Sequence, residues 1–306
     1  MTRWLITGAA GMLGTDLVAL LTAAGEPVTG LSRKDLDITD PVAIAAAVEA
    51  AKPDVVVNCA AWTAVDDAES SEDEALAING RAVASLATAC RSVGAALVQP
   101  STDYVFDGSA TSPYAEDAVP APRTAYGRTK LAGEQAVLST LPEAAYVVRT
   151  AWLYGSNGPN FVRTMLRLAH SGTSPAVVDD QHGQPTWSLD VARQIRSLIR
   201  VGAPSGVYHA TSSGETTWFG LAEEVFKLFA SAGPPLDARA SASGGADVRY
   251  PVPTPTTSAA YQRPAPRPAY SVLGHAAWTT AGISPIPDWR DALHRAFPAL
   301  LASARP

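Results

Sequence analysis

The chain has 306 residues, of which 47% are hydrophobic and 17% charged, with a formal net charge of −6. That supplies the core of one large or two medium domains and excludes global disorder. The acidic balance argues against nucleic acid as the main partner, and no apolar run is long enough for a bilayer span.

The opening MTRWLITGAAG enters a strand and a glycine loop within a few residues, an arrangement that leaves no room for a signal peptide. Two cysteines, Cys59 and Cys90, make neither a disulfide framework nor a zinc site and fit a reducing cytoplasm. Both read as packing residues, and the five scattered histidines show no metal-ligand spacing.

The first 150 residues alternate strand and helix patterns. Strands are predicted at 3–7, 27–31, 54–59, 95–99 and 145–149. Helices are predicted from the glycine loop to Gly25, over 41–51 with Asp40 as N-cap and Pro41 in the first turn, over 73–93 and over 126–138. The run DVVVNC at 54–59 has an uninterrupted apolar centre, the habit of a strand buried on both faces of a parallel sheet. These units predict an α/β fold with a Rossmann-type doubly wound parallel sheet over residues 1–150.

From 151 to 306 the pattern predicts a smaller mixed α/β substrate lobe, with some segments returning to the first domain. Helices are expected at 161–170, 190–201, 217–230 and 289–297, and a strand at 207–210. In the 217–230 helix, Phe219, Leu221, Val225, Leu228 and Phe229 are the candidate buried positions. Residues 251–268 hold six prolines and read as an ordered surface loop. Ala238 to Gly245 is a stretch of small residues.

Gly8-x-x-Gly11-x-x-Gly14 lies between the first strand and the first helix. Glycines are needed there for a tight turn, for close backbone approach to a pyrophosphate and for helix–strand packing, and the helix N-terminus offers its free N–H groups to the phosphates. The second strand ends Leu31-Ser32-Arg33-Lys34, without the acid that would hold the ribose 2′-hydroxyl of NAD. Arg33, helped by Ser32 and Lys34, predicts NADPH as the preferred cofactor, with NADH as the secondary one. Asp37 and Ile38 follow closely enough to border the adenine.

Tyr126 and Lys130 stand four residues apart and share a helix face. An ammonium beside a phenol favours phenolate, which makes Tyr126 a general acid for a carbonyl oxygen turning into an alkoxide. Lys130 also suits the nicotinamide ribose. Thr102 follows the strand ending near Gln99, where ligands of such sheets bind, and is suited to polarise the same carbonyl. Trp152, just past another strand end, is placed to stack on a sugar. The acidic run 66–74 reads as a solvated helix start, and His182 as shaping its loop.

Together, GAAGMLG at 8–14, NCAA at 58–61, STDYVFDG at 101–108, YGRTK at 126–130 and RTAWLYG at 149–155 resemble the extended short-chain dehydrogenase/reductases. Within these the chain is similar to the dTDP-4-dehydrorhamnose reductase family, a likeness that extends to DQHGQPT at 180–186 and RPAYS at 267–271. The resemblance implies Thr102, Tyr126 and Lys130 as the catalytic triad. It implies Gly8, Gly11, Met12, Leu13, Asn58, Cys59, Ala60, Ala61 and Lys130 as cofactor contacts, and Gly14 belongs to the same loop. Val65, Asp66, Tyr104 and Trp152 would approach the sugar, and Arg267 the nucleotide. The reaction would be reduction by NADPH of the C4 ketone of a dTDP-linked 4-keto-6-deoxyhexose, including sugars of secondary-metabolite pathways.

Related 4,6-dehydratases carry Asp-Glu after the threonine, whereas this chain has Asp103-Tyr104, which disfavours elimination. Asp103 is read as shaping its loop. Some relatives gather magnesium at a dimer contact. Asp16 matches one of those acids but Leu189 stands where another would be, so no metal is expected, and the chain is taken as a monomer or homodimer. Ala269 stands where many relatives have asparagine. Two other readings remain: an epimerase or dehydratase of the same superfamily, and a non-catalytic NADP-binding subunit resembling the β subunit of methionine adenosyltransferase.

Overall fold

The computed structural model describes residues 1–233 and 250–304; the small-residue stretch 238–245 lies outside them. Six parallel strands form the central sheet: β1 (Trp4–Thr7), β2 (Val28–Leu31), β3 (Val55–Asn58), β4 (Ala96–Thr102), β5 (Ala145–Thr150) and β6 (Gly206–His209), in the order β2-β1-β3-β4-β5-β6. The strand order reverses between β1 and β3. Ligands of doubly wound sheets bind at such a switch point, beyond the carboxyl ends of the strands.

The helices follow from local chemistry. Helix α1 (Met12–Ala23) starts at Gly11, which makes no side-chain cap. Helix α2 (Pro41–Ala51) is capped by the Asp40 carboxylate, which accepts from the N–H groups of Val42 and Ala43, with Pro41 in the first turn where its missing N–H costs nothing. Between β3 and β4 the predicted single helix is three pieces: Glu72–Leu76, a π-turn at Ala77–Arg81, and α3 (Ala82–Val93). Helix α4 (Ala125–Thr140) is capped by Thr124 and carries Tyr126 and Lys130 on one buried face.

Past residue 150 the chain does not stay in a separate lobe. Helix α6 (Ser188–Arg200) contributes Val191, Ile195 and Leu198 to the same core cluster as Leu17 and Leu21 of α1, and β6 closes the sheet beside β5. A second core joins α5 (Phe161–His170), α7 (Trp218–Ala232) and α8 (Trp289–Ser303). In α7 the buried residues are Leu221, Ala222, Val225, Phe226 and Phe229. Phe219 and Leu228 are only partly covered. The proline-rich segment is ordered: Thr254–Thr256 pairs in parallel with Ala176–Val178, and Asp180 holds the amide and hydroxyl of Ser258.

Behind the sheet's carboxyl edge, Arg149 of β5 meets Glu134 of α4 through two hydrogen bonds of 2.8 and 3.0 Å, with both side chains at most 4% exposed. Arg149 also approaches His209 at 3.3 Å, and burial beside that guanidinium pushes the imidazole down to about 3, so it is neutral. Removing one partner of a buried pair strands the other's charge. Glu134→Ala is therefore expected to cost about 3–5 kcal/mol in urea unfolding. Glu72→Ala, which breaks the exposed pair with Arg128, should cost under about 1 kcal/mol.

Candidate active site

The glycine loop closes on the switch point. Gly8 has φ +61°, and a Cβ there would fall 2.5 Å from the amide nitrogen of Ala60. A Cβ at Gly14 would fall 2.4 Å from the Gly8 carbonyl oxygen. The loop after β1 thus lies directly against the Asn58–Ala61 turn after β3, and the uncapped N–H groups of α1 open beside Met12 and Leu13. The Ala9 amide donates to the Leu31 carbonyl at 3.1 Å, which draws the end of β2 to the same loop. This backbone cradle fits a dinucleotide pyrophosphate, and any side chain at Gly8 or Gly14 would collide with the backbone that shapes it.

At the end of β2, Ser32 donates its amide and hydroxyl to Asp35, at 2.9 and 2.6 Å, while Arg33 is exposed. Asp37 accepts from the amide and hydroxyl of Thr39, and Ile38 packs against the core beside α2. Cys59 is half-buried beside the cradle, and burial pushes its thiol up to about 12, which makes it inert.

A buried polar chain crosses the carboxyl ends of the strands. Thr7 donates to Asn58 at 2.6 Å, Asn58 donates to Gln99 at 2.8 Å, and Gln99 donates to the Pro100 carbonyl at 3.0 Å. Lys130 Nζ donates to that same carbonyl at 2.7 Å. Proline is tolerated inside this central strand because the ladder with β3 ends at Val98, two residues earlier. Strand β4 runs to Thr102 rather than ending at Gln99, so Thr102 is fixed by the sheet, opposite Thr150 of β5.

The Thr102 hydroxyl accepts from the Tyr104 amide at 3.2 Å, donates to Asp103 Oδ1 at 3.0 Å and lies close enough to the Tyr126 phenol to favour its ionised form. Tyr126 packs edge-on against Tyr104, with ring centroids 5.7 Å apart, and Val65 and Trp62 complete the surrounding cluster. Gly127 permits this approach: a Cβ there would meet the Tyr104 carbonyl oxygen at 2.2 Å.

Three expectations need correction. Tyr126 is not poised as a phenolate. Burial and the nearby Asp103 carboxylate push its pKa above the ordinary phenol value, and the Thr102 hydroxyl only partly offsets them. Lys130 instead bears the cost of burial itself, pulled down to about 8 even though Glu134 favours its charge. Trp152 stacks on Trp218 at 3.7 Å, so one indole face is already taken by protein; its φ of +47° holds it there. Asp66 is not a free carboxylate, because Arg267 at 2.9 Å and Arg263 at 3.2 Å both pair with it and tie the proline-rich segment to the site.

Two residues escaped sequence reasoning. Asn79, inside the π-turn, accepts from the Trp62 amide and donates to the Trp62 carbonyl and the Thr129 hydroxyl, clasping the turn after β3 to α4. A π-turn inside a helix often marks a functional site, but its one-residue widening leaves no trace in hydrophobic spacing. Asp103 is buried rather than a loop spacer.

Asp16 bonds to Ser188 and Asn157. Among the described residues no group of three or more His, Cys, Asp or Glu is placed to hold a metal ion, and no helix is long and apolar enough to cross a membrane.

The buried Lys130 has a measurable signature. Its folded pKa near 8 lies below the unfolded value of 10.5, so between those values the unfolded chain binds more protons and stability rises with pH. Lys130→Met removes that linkage. The stability difference between wild type and Lys130→Met is expected to shift by about 2 kcal/mol in favour of wild type between pH 7.5 and 9.5, read by urea unfolding. No shift would mean that the ammonium is not buried.

The comparisons with known proteins agree with this geometry. The RmlD substrate binding domain family matches residues 2–301. A dTDP-4-dehydrorhamnose reductase of Streptomyces griseus is 53% identical, over 99% of this chain and 95% of its own. A dTDP-4-keto-6-deoxy-D-glucose reductase of Streptomyces niveus is 51% identical over 98% of each. Among solved structures, a dTDP-4-dehydrorhamnose reductase of Bacillus anthracis str. Ames in complex with NADP is 35% identical, with a TM-score of 0.87 over 97% of this chain and 99% of that one. The cradle, the Thr102–Tyr126–Lys130 group and a match over nearly the whole length lead to one conclusion: the chain belongs to the RmlD substrate-binding-domain family.

Proposed function

We propose that the chain is a cytoplasmic NADPH-dependent reductase of the C4 ketone of a dTDP-linked 4-keto-6-deoxyhexose. The observation that carries the reading is the buried pair Thr102 and Tyr126, with Lys130 one helical turn along the same face and the glycine cradle alongside. Bound NADPH supplies the hydride. Gly8, Gly11 and Gly14 admit its pyrophosphate, and Arg33 with Ser32 meets the 2′-phosphate. Met12, Leu13, Asn58, Cys59, Ala60, Ala61, Asp37 and Ile38 complete its walls.

Tyr126 delivers a proton to the oxygen of the reduced carbonyl. A neutral phenol, kept neutral by burial, suits that role because the alkoxide formed at C4 is a stronger base than phenolate. Thr102 holds the same oxygen, and Lys130 holds the nicotinamide ribose with its ammonium. Val65, Tyr104 and the free part of Trp152 line the sugar side. Asp66 keeps Arg267 at the mouth, where its guanidinium meets the nucleotide's diphosphate. Beyond Asp103 the carboxylate that elimination would need is replaced by Tyr104, whose ring packs against Tyr126, which supports simple ketoreduction.

The test is a panel of dTDP-4-keto-6-deoxysugars with NADPH, read by loss of reduced-cofactor absorbance and by NMR of the product at C4. Stoichiometric NADPH oxidation is expected; cofactor-neutral conversion of the sugar would instead mean epimerase chemistry. Tyr126→Phe should lower kcat by roughly 10²–10⁴-fold while leaving the Kd for NADPH within about twofold. Arg33→Ala should raise KM for NADPH by roughly tenfold and leave that for NADH unchanged. A wild-type preference for NADH would contradict the role given to Arg33.

A further inference from the structure

The indole of Trp152 is held from both sides. Trp218, the first residue of α7, stacks on one face, with ring centroids 3.7 Å apart and planes 9° from parallel. A Cβ at Gly183 would fall 2.5, 2.6 and 2.8 Å from Cε2, Cζ2 and Nε1 of the same indole. A point almost equally near these three neighbouring ring atoms lies above the ring, not beside its rim. A Trp218 ring on that side would be nearer still to it, yet those three atoms are the nearest. Gly183 and Trp218 therefore cover opposite faces. Glycine is required at 183 by this approach, because any side chain there would strike the indole.

The two holders come from one piece of structure. His182–Gly183 pairs antiparallel with Thr216–Thr217, and Thr217 caps α7 by accepting from the Gly220 amide. Phe161, which opens α5, packs on Trp218 with ring centroids 4.6 Å apart. Trp152 itself has φ +47°, a conformation costly for a bulky side chain and sustained here by these contacts. It follows Thr150, the partner of Thr102 in the sheet, by two residues. None of the described residues accepts a hydrogen bond from Trp152 Nε1, and that nitrogen is open to solvent. What Trp152 has left to offer is its edge, with the N–H included.

We propose that Trp218 is a positioning residue for the sugar: it presses Trp152 against Gly183, so that the indole meets the substrate with its edge and donates its N–H to a sugar oxygen. This deepens the reading of Trp152 as a sugar contact given above and rests on it. Stacking on the apolar face of a sugar needs an open indole face, and neither is open. The second core thereby reaches the site, since a shift of α7 moves the clamp that fixes Trp152.

The experiment compares wild type, Trp218→Ala, Trp218→Phe and Trp152→Phe. Calorimetry gives the Kd of a dTDP-linked 6-deoxyhexose for the NADP-bound protein, and the ketosugar panel gives KM and kcat. Trp218→Ala removes the clamp and is expected to raise Kd and KM for the sugar by roughly tenfold, with kcat and the Kd for NADPH each within about threefold of wild type. Trp218→Phe keeps a flat ring on the indole and should hold the sugar within about threefold of wild type. Trp152→Phe keeps an aromatic face but loses the N–H, and should weaken sugar binding by about fivefold or more.

The proposal is overturned if Trp218→Ala binds the sugar as wild type does, if it loses NADPH as much as sugar, or if Trp218→Phe is no better than Trp218→Ala. It is also overturned if Trp152→Phe binds the sugar as wild type does, since that result means stacking. Should Trp218→Ala not fold, Gly183→Ala, which dislodges the same indole from its other face, decides in its place with the same expected loss. Calorimetry needs no turnover, which separates this claim from the assignment of function. Weakened sugar binding in Trp218→Ala, restored in Trp218→Phe, supports the clamp even if no ketone of the panel is reduced. Reduction with a wild-type KM in Trp218→Ala contradicts the clamp and leaves the assigned reaction standing.

Discussion

An ammonium buried at the carboxyl end of a parallel sheet is the constraint around which this molecule is arranged. Lys130 needs an acceptor and a counter-charge inside the protein, since an unpaired buried cation is costly. The Pro100 carbonyl supplies the first and Glu134, one turn further along α4, the second. Glu134 in turn needs Arg149, and Arg149 keeps His209 neutral. The same carbonyl terminates the polar chain that runs from Thr7 through Asn58 and Gln99. Five strands and α4 are thus tied to one polar knot. Thr102 and Tyr126 are buried beside it.

That knot explains why the site can hold a neutral phenol beside a carboxyl raised above its ordinary value. Helix α4 approaches so closely that Gly127 and Gly133 touch backbone carbonyl oxygens of Tyr104 and Asn79. Such contact excludes water, and water exclusion raises Tyr126 and Asp103 while lowering Lys130. The three shifts have one physical cause. They favour a site that gives protons to an oxyanion over one that removes protons from carbon.

Much of this was legible in the sequence because it depends on short-range chemistry. The Asp40–Pro41 start of α2, the DVVVNC strand and the spacing of Gly8, Gly11 and Gly14 each carry a local steric or capping requirement. The resemblance carried by STDYVFDG and YGRTK named Thr102, Tyr126 and Lys130; the fold buries Tyr126 and Lys130 on one face of α4, and Thr102 is buried at the end of β4. What escaped depends on tertiary burial. The pKa of Tyr126 was misjudged because i, i+4 spacing shows that two side chains share a face, not how dry that face is. Asp103 looked like a loop residue because the 267–275 segment covering it lies far away in sequence. Asp66 looked free because Arg263 and Arg267 arrive from that same distant region, and Trp152 looked open because Trp218 does.

The most direct test of the account is a crystal structure of the protein with NADP and a dTDP-linked 6-deoxyhexose. The account predicts that the sugar O4 lies within hydrogen-bond distance of both Tyr126 Oη and Thr102 Oγ1. It also predicts that Lys130 Nζ bonds to the nicotinamide ribose and that the pyrophosphate rests on the amides following Gly11. A nicotinamide seated away from Tyr126, or a sugar presenting a different carbon to it, would contradict the account.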